Sequence, residues 1–423
     1  MVHQIHTKCN LCNTPIILRC QMGEFDMPFV FNCPCCSAEL SGTIFADESD
    51  RYTFSGLSMT HENGKYIKEL SSEFFTNPIY ENSDQRVTTP YIYNFNMIGC
   101  EEYQQAIKQL RSFFVKKQKW TNVKNNYLLI HNSQWDIIAK NLNQIGLPIR
   151  DVLYKPRYEY ILSLVEKQKF AILTQVHHDF ILTFSNIMSE TTLQNLTKIK
   201  FDFERCDTSS LYTYFDEKYL LKHIKRGVQM FDAWMSNANG YIPLLIVSLS
   251  NKLDLYKNKD VCLTTMSIKS LLNFYADSYE YLCQTLGVCV AANNILHRHD
   301  INAFPVGSQN ENLNKFLDMR NTGKKLEDVR LNESFTLPLQ SLNNKIRNAI
   351  DHMDYNINYN KQIIDFNDNN TSLSFTFIKM QEMCLCNLES MLYAMEHLYY
   401  FLKIYYIREF CESVKLNLID KND

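Results

Sequence analysis

Apolar and polar positions change their rhythm three times along the chain. Up to about residue 46 the apolar residues come in short β-prone clusters, Ile16-Ile17-Leu18 and Phe29-Val30-Phe31, which predict short strands. Residues 47–100 are polar, with Thr-, Ser- and Asn-rich breaks and Pro78 and Pro90 as punctuation, and read as short strands and loops. From Glu101 the spacing becomes three and four. Ala106, Ile107, Leu110 and Phe114 predict a helix over 101–120, and others are expected near 134–145, 156–165, 189–196 and 216–235. The run from Tyr241 to Leu255 reads as a buried helix or a buried strand, since periodicity does not separate the two.

The last third is the most regular. A helix is expected from Ser267 to Ile295, with Leu271, Leu272, Tyr275, Tyr279, Leu282 and Leu286 among its apolar positions. A polar region follows over 297–336, then a helix from Pro338, where proline suits a first turn, to Tyr355. Residues 361–366 and 372–378 alternate around Asn367-Asp368-Asn369-Asn370 and predict a hairpin. A final helix is expected from Lys379 to Cys411. The fold class is therefore mainly α, in three parts: a small β unit over 1–46, a mixed α/β middle region over 47–260, and a helical part over 261–423.

Composition narrows the function. Of 423 residues, 45% are hydrophobic and 21% charged, as expected of a folded chain. Lys and Arg number 43 against 46 Asp and Glu, so a generally basic nucleic-acid coat is excluded and any such binding needs a local patch. The longest apolar run, Tyr241 to Leu249, falls well short of the ~20 residues that a spanning helix needs. The N-terminus enters a cysteine motif with no charged-then-apolar leader, which predicts a cytoplasmic protein in a reducing compartment.

In that compartment paired cysteines mean metal rather than disulfide. Six of the 14 Cys lie between Cys9 and Cys36. Cys9-Asn10-Leu11-Cys12 and Cys33-Pro34-Cys35-Cys36 each hold two thiols three positions apart, a spacing that lets one tight turn chelate one ion. Two such turns supply four soft ligands for tetrahedral zinc, with Cys9, Cys12, Cys33 and Cys36 as the expected set and Cys35 or Cys20 as substitutes. The intervening stretch fits the small β-hairpin of a zinc ribbon. Four thiolates close the coordination shell, so the zinc is expected to be structural.

A second constellation lies on the expected helix near position 350. Leu342, Ile346, Ala349, Ile350 and Met353 fall on one side of a helical wheel, and Arg347, Asn348, Asp351, His352 and Tyr355 on the other. Arg347 suits a phosphate through its planar fork. His352 can give or take a proton near neutrality. Asn348 can orient the imidazole or the substrate, and Asp351 and Tyr355 can support them. In RNA the 2′-hydroxyl supplies the nucleophile, so neither a metal nor a protein nucleophile is required.

Arg347-Asn348-x-x-x-His352 resembles the R-x(4–6)-H motif of HEPN-domain ribonucleases, in the form with Asn after Arg. A long helix upstream, the Ile363-Ile364-Asp365-Phe366 strand and a long closing helix resemble the HEPN domains of abortive-infection and other antiphage proteins, over about residues 262–412. The resemblance implies an up-and-down helical bundle, a homodimer formed through the motif helices, and metal-independent RNA cleavage. Arg347 would be the phosphate binder, Asn348 its polar companion and His352 the acid/base. The alternative is a non-catalytic RNA- or protein-binding scaffold, with Arg347 and Asp351 forming an ordinary ion pair on a solvated helix face.

Other features weigh less. Lys116, Lys117, Lys119 and Trp120 close the densest basic and aromatic stretch, a candidate RNA contact. His177-His178-Asp179 and His297-Arg298-His299-Asp300 resemble ligand clusters but have no matching partner motif. The chain has no Walker-type phosphate loop and no G-x-S-x-G element, which removes ATPase and serine-hydrolase readings.

Overall fold

The computed structural model describes residues 2–46, 51–84, 89–144, 165–204, 209–256, 260–331, 339, 341–368 and 371–419. The expected helix near 156–165 and Pro338 lie almost entirely outside these residues. The contacts divide the chain into two compact units, each assembled from three segments. The first takes residues 1–112, 233–277 and 341–386; the second takes 113–232, 278–340 and 387–423.

The first unit holds all the sheet structure of the described residues. Its N-terminal strands are β1 (Val2–Cys9), β2 (Pro15–Gln21), β3 (Met27–Asn32), β4 (Glu39–Ile44), β5 (Tyr52–Ser55), β6 (Leu57–Met59), β7 (Tyr66–Ser71) and β8 (Tyr80–Glu81). One sheet runs β6-β1-β2-β7-β8, with β2 and β7 parallel and the other pairs antiparallel. A second runs β3-β4-β5, all antiparallel. Strand side chains alternate between faces, and Ile5, Ile16, Leu18, Phe29, Phe31, Leu40 and Ile44 from the two sheets meet in one core.

The clusters around Ile17 and Val30 are strands, as their composition predicted. They do not pair with each other as a hairpin, which corrects the expectation for the stretch between the cysteine pairs. Each cysteine pair instead sits in the turn of its own hairpin, β1–β2 and β3–β4.

The polar stretch to residue 100 also contains a helix, α1 (Pro90–Ile98). Pro90 opens it, because proline's missing N–H costs nothing in a first turn, and Thr89 caps it by accepting from the Ile92 N–H. Then come α2 (Cys100–Lys117), α3 (Trp120–His131), α4 (Trp135–Gln144), α5 (Val165–Phe184), α6 (Glu190–Glu204) and α7 (Glu217–Ser236). The ambiguous apolar run is a helix, α8 (Ile242–Leu249), buried on nearly every side.

The long helix α9 spans Ile268–Arg298. The polar region after it carries two short helices, α10 (Leu313–Asp318) and α11 (Thr322–Arg330), each capped by an Asn side chain. The motif helix α12 (Asn344–Asp351) is followed by β9 (Tyr355–Asn358), β10 (Ile363–Asp368), β11 (Thr371–Thr376) and α13 (Phe377–Ile419). β10 and β11 pair antiparallel, as the alternation predicted, and β9 adds a third strand.

The motif helix is shorter than periodicity suggested. Asn343 caps its start by accepting from the Lys345 N–H. At its end the Met353 N–H reaches Ile350 O and the Asp354 N–H reaches Ala349 O, with Met353 left-handed at φ 57°. That bonding is a Schellman stop. Met353 therefore leaves the apolar stripe and is 81% exposed, and Tyr355 opens a strand instead of extending the helix.

Behind the helix, the buried Tyr275 hydroxyl of α9 donates to Ser341 O at 2.9 Å and accepts from the Asn343 N–H at 2.9 Å. One phenol thus fixes the chain entering α12.

The second unit is helical. Trp120, Phe180, Phe184 and Phe231 interlock at centroid distances of 4.8–6.1 Å. Beside them His177 joins Tyr127 and Glu396 at 2.6 Å on either ring nitrogen, and the Tyr399 ring stacks on it at 3.8 Å. No helix among the described residues is long and apolar enough to cross a membrane.

Two outcomes follow from this packing. Tyr275→Phe removes the hydroxyl's hydrogen bonds to Ser341 O and from the Asn343 N–H and should lower unfolding stability by about 1–2 kcal/mol, read from denaturant titration. Burial lowers the pKa of His397 to about 4, from an ordinary value near 6.5. Its folded form therefore resists protonation while the unfolded form takes a proton, so stability is lost as pH falls from about 6.5 toward 4. His397→Gln should lose less stability than the parent between pH 7 and pH 5 in the same titration.

Candidate functional site

The four expected cysteines come together. Cys9 Sγ lies 3.7 Å from Cys36 Sγ, and Cys12 Sγ lies 3.6 Å from Cys33 Sγ. All four sulfurs fall within 4.8 Å of one another. Four thiolates at ~2.3 Å around a tetrahedral zinc would sit about 3.8 Å apart, so this cage has the dimensions of such a metal ion.

The two turns that build it are alike bond for bond. The Cys9 N–H reaches Thr14 O and the Cys33 N–H reaches Ala38 O; the Asn13 N–H returns to Cys9 O and the Ser37 N–H to Cys33 O. Asn13 and Ser37, each four residues after the first cysteine of its pair, are left-handed at φ 57° and 60°. Asn and Ser tolerate that conformation better than branched residues do. Gly56 supports the first turn by accepting from the Asn10 N–H, and it holds φ 77°.

The Thr14 hydroxyl and backbone draw the Cys12 thiol down to about 6, whereas burial pushes Cys33 up to about 12. The substitutes fall outside the cage. Cys20 packs in the sheet core, where burial raises its thiol to about 12, and Cys35 is exposed. Among the described residues this is the one group of three or more ligating side chains close enough to share an ion.

The second candidate is α12. Ile346 and Ala349 are buried beneath it, which leaves its polar groups toward solvent. The Arg347 guanidinium meets Asp351 at 3.0 Å and the Asn348 amide oxygen at 3.3 Å. Asp351 and His352 are exposed, and Arg347 and Asn348 are half-buried. His352 is the helix C-cap, its N–H bonded to Asn348 O at 2.9 Å. Arg347, Asn348, Asp351 and His352 thus lie on one short, wet segment, while Tyr355 sits apart on β9 with its ring against Phe366.

The basic and aromatic stretch is differently disposed. Trp120 is buried and its indole N–H donates to Asp232 at 2.9 Å, so no base stacks on it in this conformation. Lys116 caps the end of α5 through Leu182 O, Ser185 and Asn186. Lys117 lies over the Phe114 ring, and Lys119 is exposed. His177 is committed to its buried network; His297 and His299 are exposed at the end of α9. The positioning role of Tyr275 escaped sequence reasoning, because a tyrosine at an apolar helix position carries no sign of what its hydroxyl holds.

In comparisons with known proteins the chain matches no family model, no curated protein and no solved structure.

The cage makes a direct prediction. Purified protein should hold about one metal ion per chain, as four thiolates bind one ion. Cys9→Ser or Cys33→Ser should bring that content well below one, whereas Cys35→Ser should leave it unchanged, by elemental analysis after gel filtration.

Proposed function

We propose that this protein is an endoribonuclease of the HEPN type whose reaction needs no metal, with a structural zinc ion in the Cys9, Cys12, Cys33 and Cys36 cage. The observation that carries the reading is the grouping of guanidinium, amide, carboxylate and imidazole on the exposed face of one short helix, held from behind by Ile346, Ala349 and Tyr275.

The chemistry runs through this chain's own groups. Arg347 takes the scissile phosphodiester through its fork, with the phosphate competing with Asp351 for the guanidinium. The RNA 2′-oxygen attacks phosphorus, the bond to the 5′-oxygen breaks, and a 2′,3′-cyclic phosphate forms. His352 moves the proton that leaves the 2′-hydroxyl or the one that the departing 5′-oxygen requires. Asn348, the next residue along the helix, accepts from the guanidinium and helps hold it in place. Two chains meeting at α12 would set two such groups on one strand of RNA, and by family analogy the role is antiphage defence by abortive infection.

The Arg347–Asp351 pair also favours a second reading, a recognition scaffold in which the arginine is spent on its own helix. The experiment that divides them incubates the full chain with total RNA in divalent-free buffer beside Arg347→Ala/His352→Ala. Loss of an acid/base group costs ~10²–10⁴ in rate, so the double variant should cut at least a hundredfold more slowly while keeping its metal content. Equal traces for parent and variant would favour the scaffold. Growth arrest on overexpression, compared for the same pair, reports activity that the purified chain withholds.

A further inference from the structure

A buried lysine in the first unit is unaccounted for by either site. Lys68 lies on β7 and is 3% exposed. Its ammonium makes one hydrogen bond among the described residues, to Asn77 O at 3.0 Å. Its neighbour Glu69, also buried, acts on it through charge alone: that carboxylate's hydrogen bonds go to Arg19 at 3.1 Å, the Asn77 amide at 2.7 Å and the Tyr80 hydroxyl at 3.3 Å. A buried ammonium carries three donors and costs several kcal/mol if left uncompensated.

Lys68 lines a cavity of about 40 Å³ whose walls include Cys262, Ser267, Ile268 and Gln362. Ser267 and Ile268 begin the 31-residue helix α9. The Ser267 hydroxyl takes the Ser270 N–H at 3.2 Å. The helix itself supplies no acceptor for the N–H groups of Ile268 and Lys269, and its dipole is positive there. The Gln362 amide is spent on the backbone of Leu263, at 2.7 and 2.8 Å. Burial raises the Cys262 thiol, which keeps it neutral. The one acid among the lining residues, Glu39, is exposed. The cavity thus joins two sources of positive potential with no buried negative group of its own.

We infer that this cavity is a binding site for a small oxyanion of the carboxylate or phosphate type, held between the Lys68 ammonium and the N-terminus of α9. Its volume suits the ion, since a water needs roughly 10–15 Å³ by the same measure: about three waters, or one compact anion. Water alone would fill the hydrogen bonds, but it brings no charge to a cavity whose lining has no buried acid and whose lysine shares Glu69 with Arg19. Without an anion, burial drives the amine toward its neutral form; a bound anion restores its charge.

The test uses the full chain at constant ionic strength, with sodium isethionate, whose anion is too bulky for the cavity, as reference. Sodium formate and inorganic phosphate are titrated separately, reading the thermal midpoint and, for formate, ¹³C line broadening. The expected result is a saturable rise in midpoint with at least one of the two anions, and an affinity at least tenfold weaker in Lys68→Met. That variant swaps a buried charge for a side chain of similar shape, a change that folded proteins often tolerate; should it fail to fold, Lys68→Gln carries the same comparison. Response to formate alone assigns a carboxylate-type ligand, and response to phosphate a tetrahedral one. The proposal is overturned if neither anion shifts the parent relative to isethionate, or if the variant follows the parent's curve.

Discussion

Four sulfur atoms within 4.8 Å of one another cannot all carry negative charge without a cation among them. That constraint governs the front of the molecule. Cys9 and Cys12 belong to a hairpin of one sheet, and Cys33 and Cys36 to a hairpin of the other. The inner faces of the two sheets share a core, and the thiols close its end. A metal ion held there would convert mutual repulsion into a crosslink between sheets that, among the described residues, have no strand pairing with each other.

The motif helix poses the opposite problem, since groups meant for a ligand must be wet and still hold their positions. An eight-residue helix is marginal alone, so its order comes from its surroundings. Ile346 and Ala349 anchor the underside, Tyr275 grips the entrance, and β10 packs alongside. The chain then leaves through a left-handed Met353, a conformation that costs a non-glycine residue ~1 kcal/mol or more. That stop leaves His352 at the helix end.

Local rules made some of this readable. The paired thiols were legible because chelation depends on spacing within a turn. The long helices were legible because apolar spacing persists over many turns. What escaped was non-local. The second partner of β2 is β7, about fifty residues on and parallel, and nothing around Ile17 announces it. Trp120 and its lysines read as a surface patch because the acid that claims the indole, Asp232, lies 112 positions away. The end of α12 was missed because the signal expected there is glycine, and the residue is methionine. Nothing in the sequence around Lys68 marks it as buried; only the two-sided cover of β7 makes it costly.

The interleaving of the two units sets an order on biosynthesis. The first unit needs residues 341–386, yet its opening strands leave the ribosome more than two hundred residues earlier. In that interval the nascent sheets have no access to the hairpin and helix that complete them. The four cysteines lie within the first 36 residues, so an ion bound there would fasten the leading segment long before its distant partners are translated.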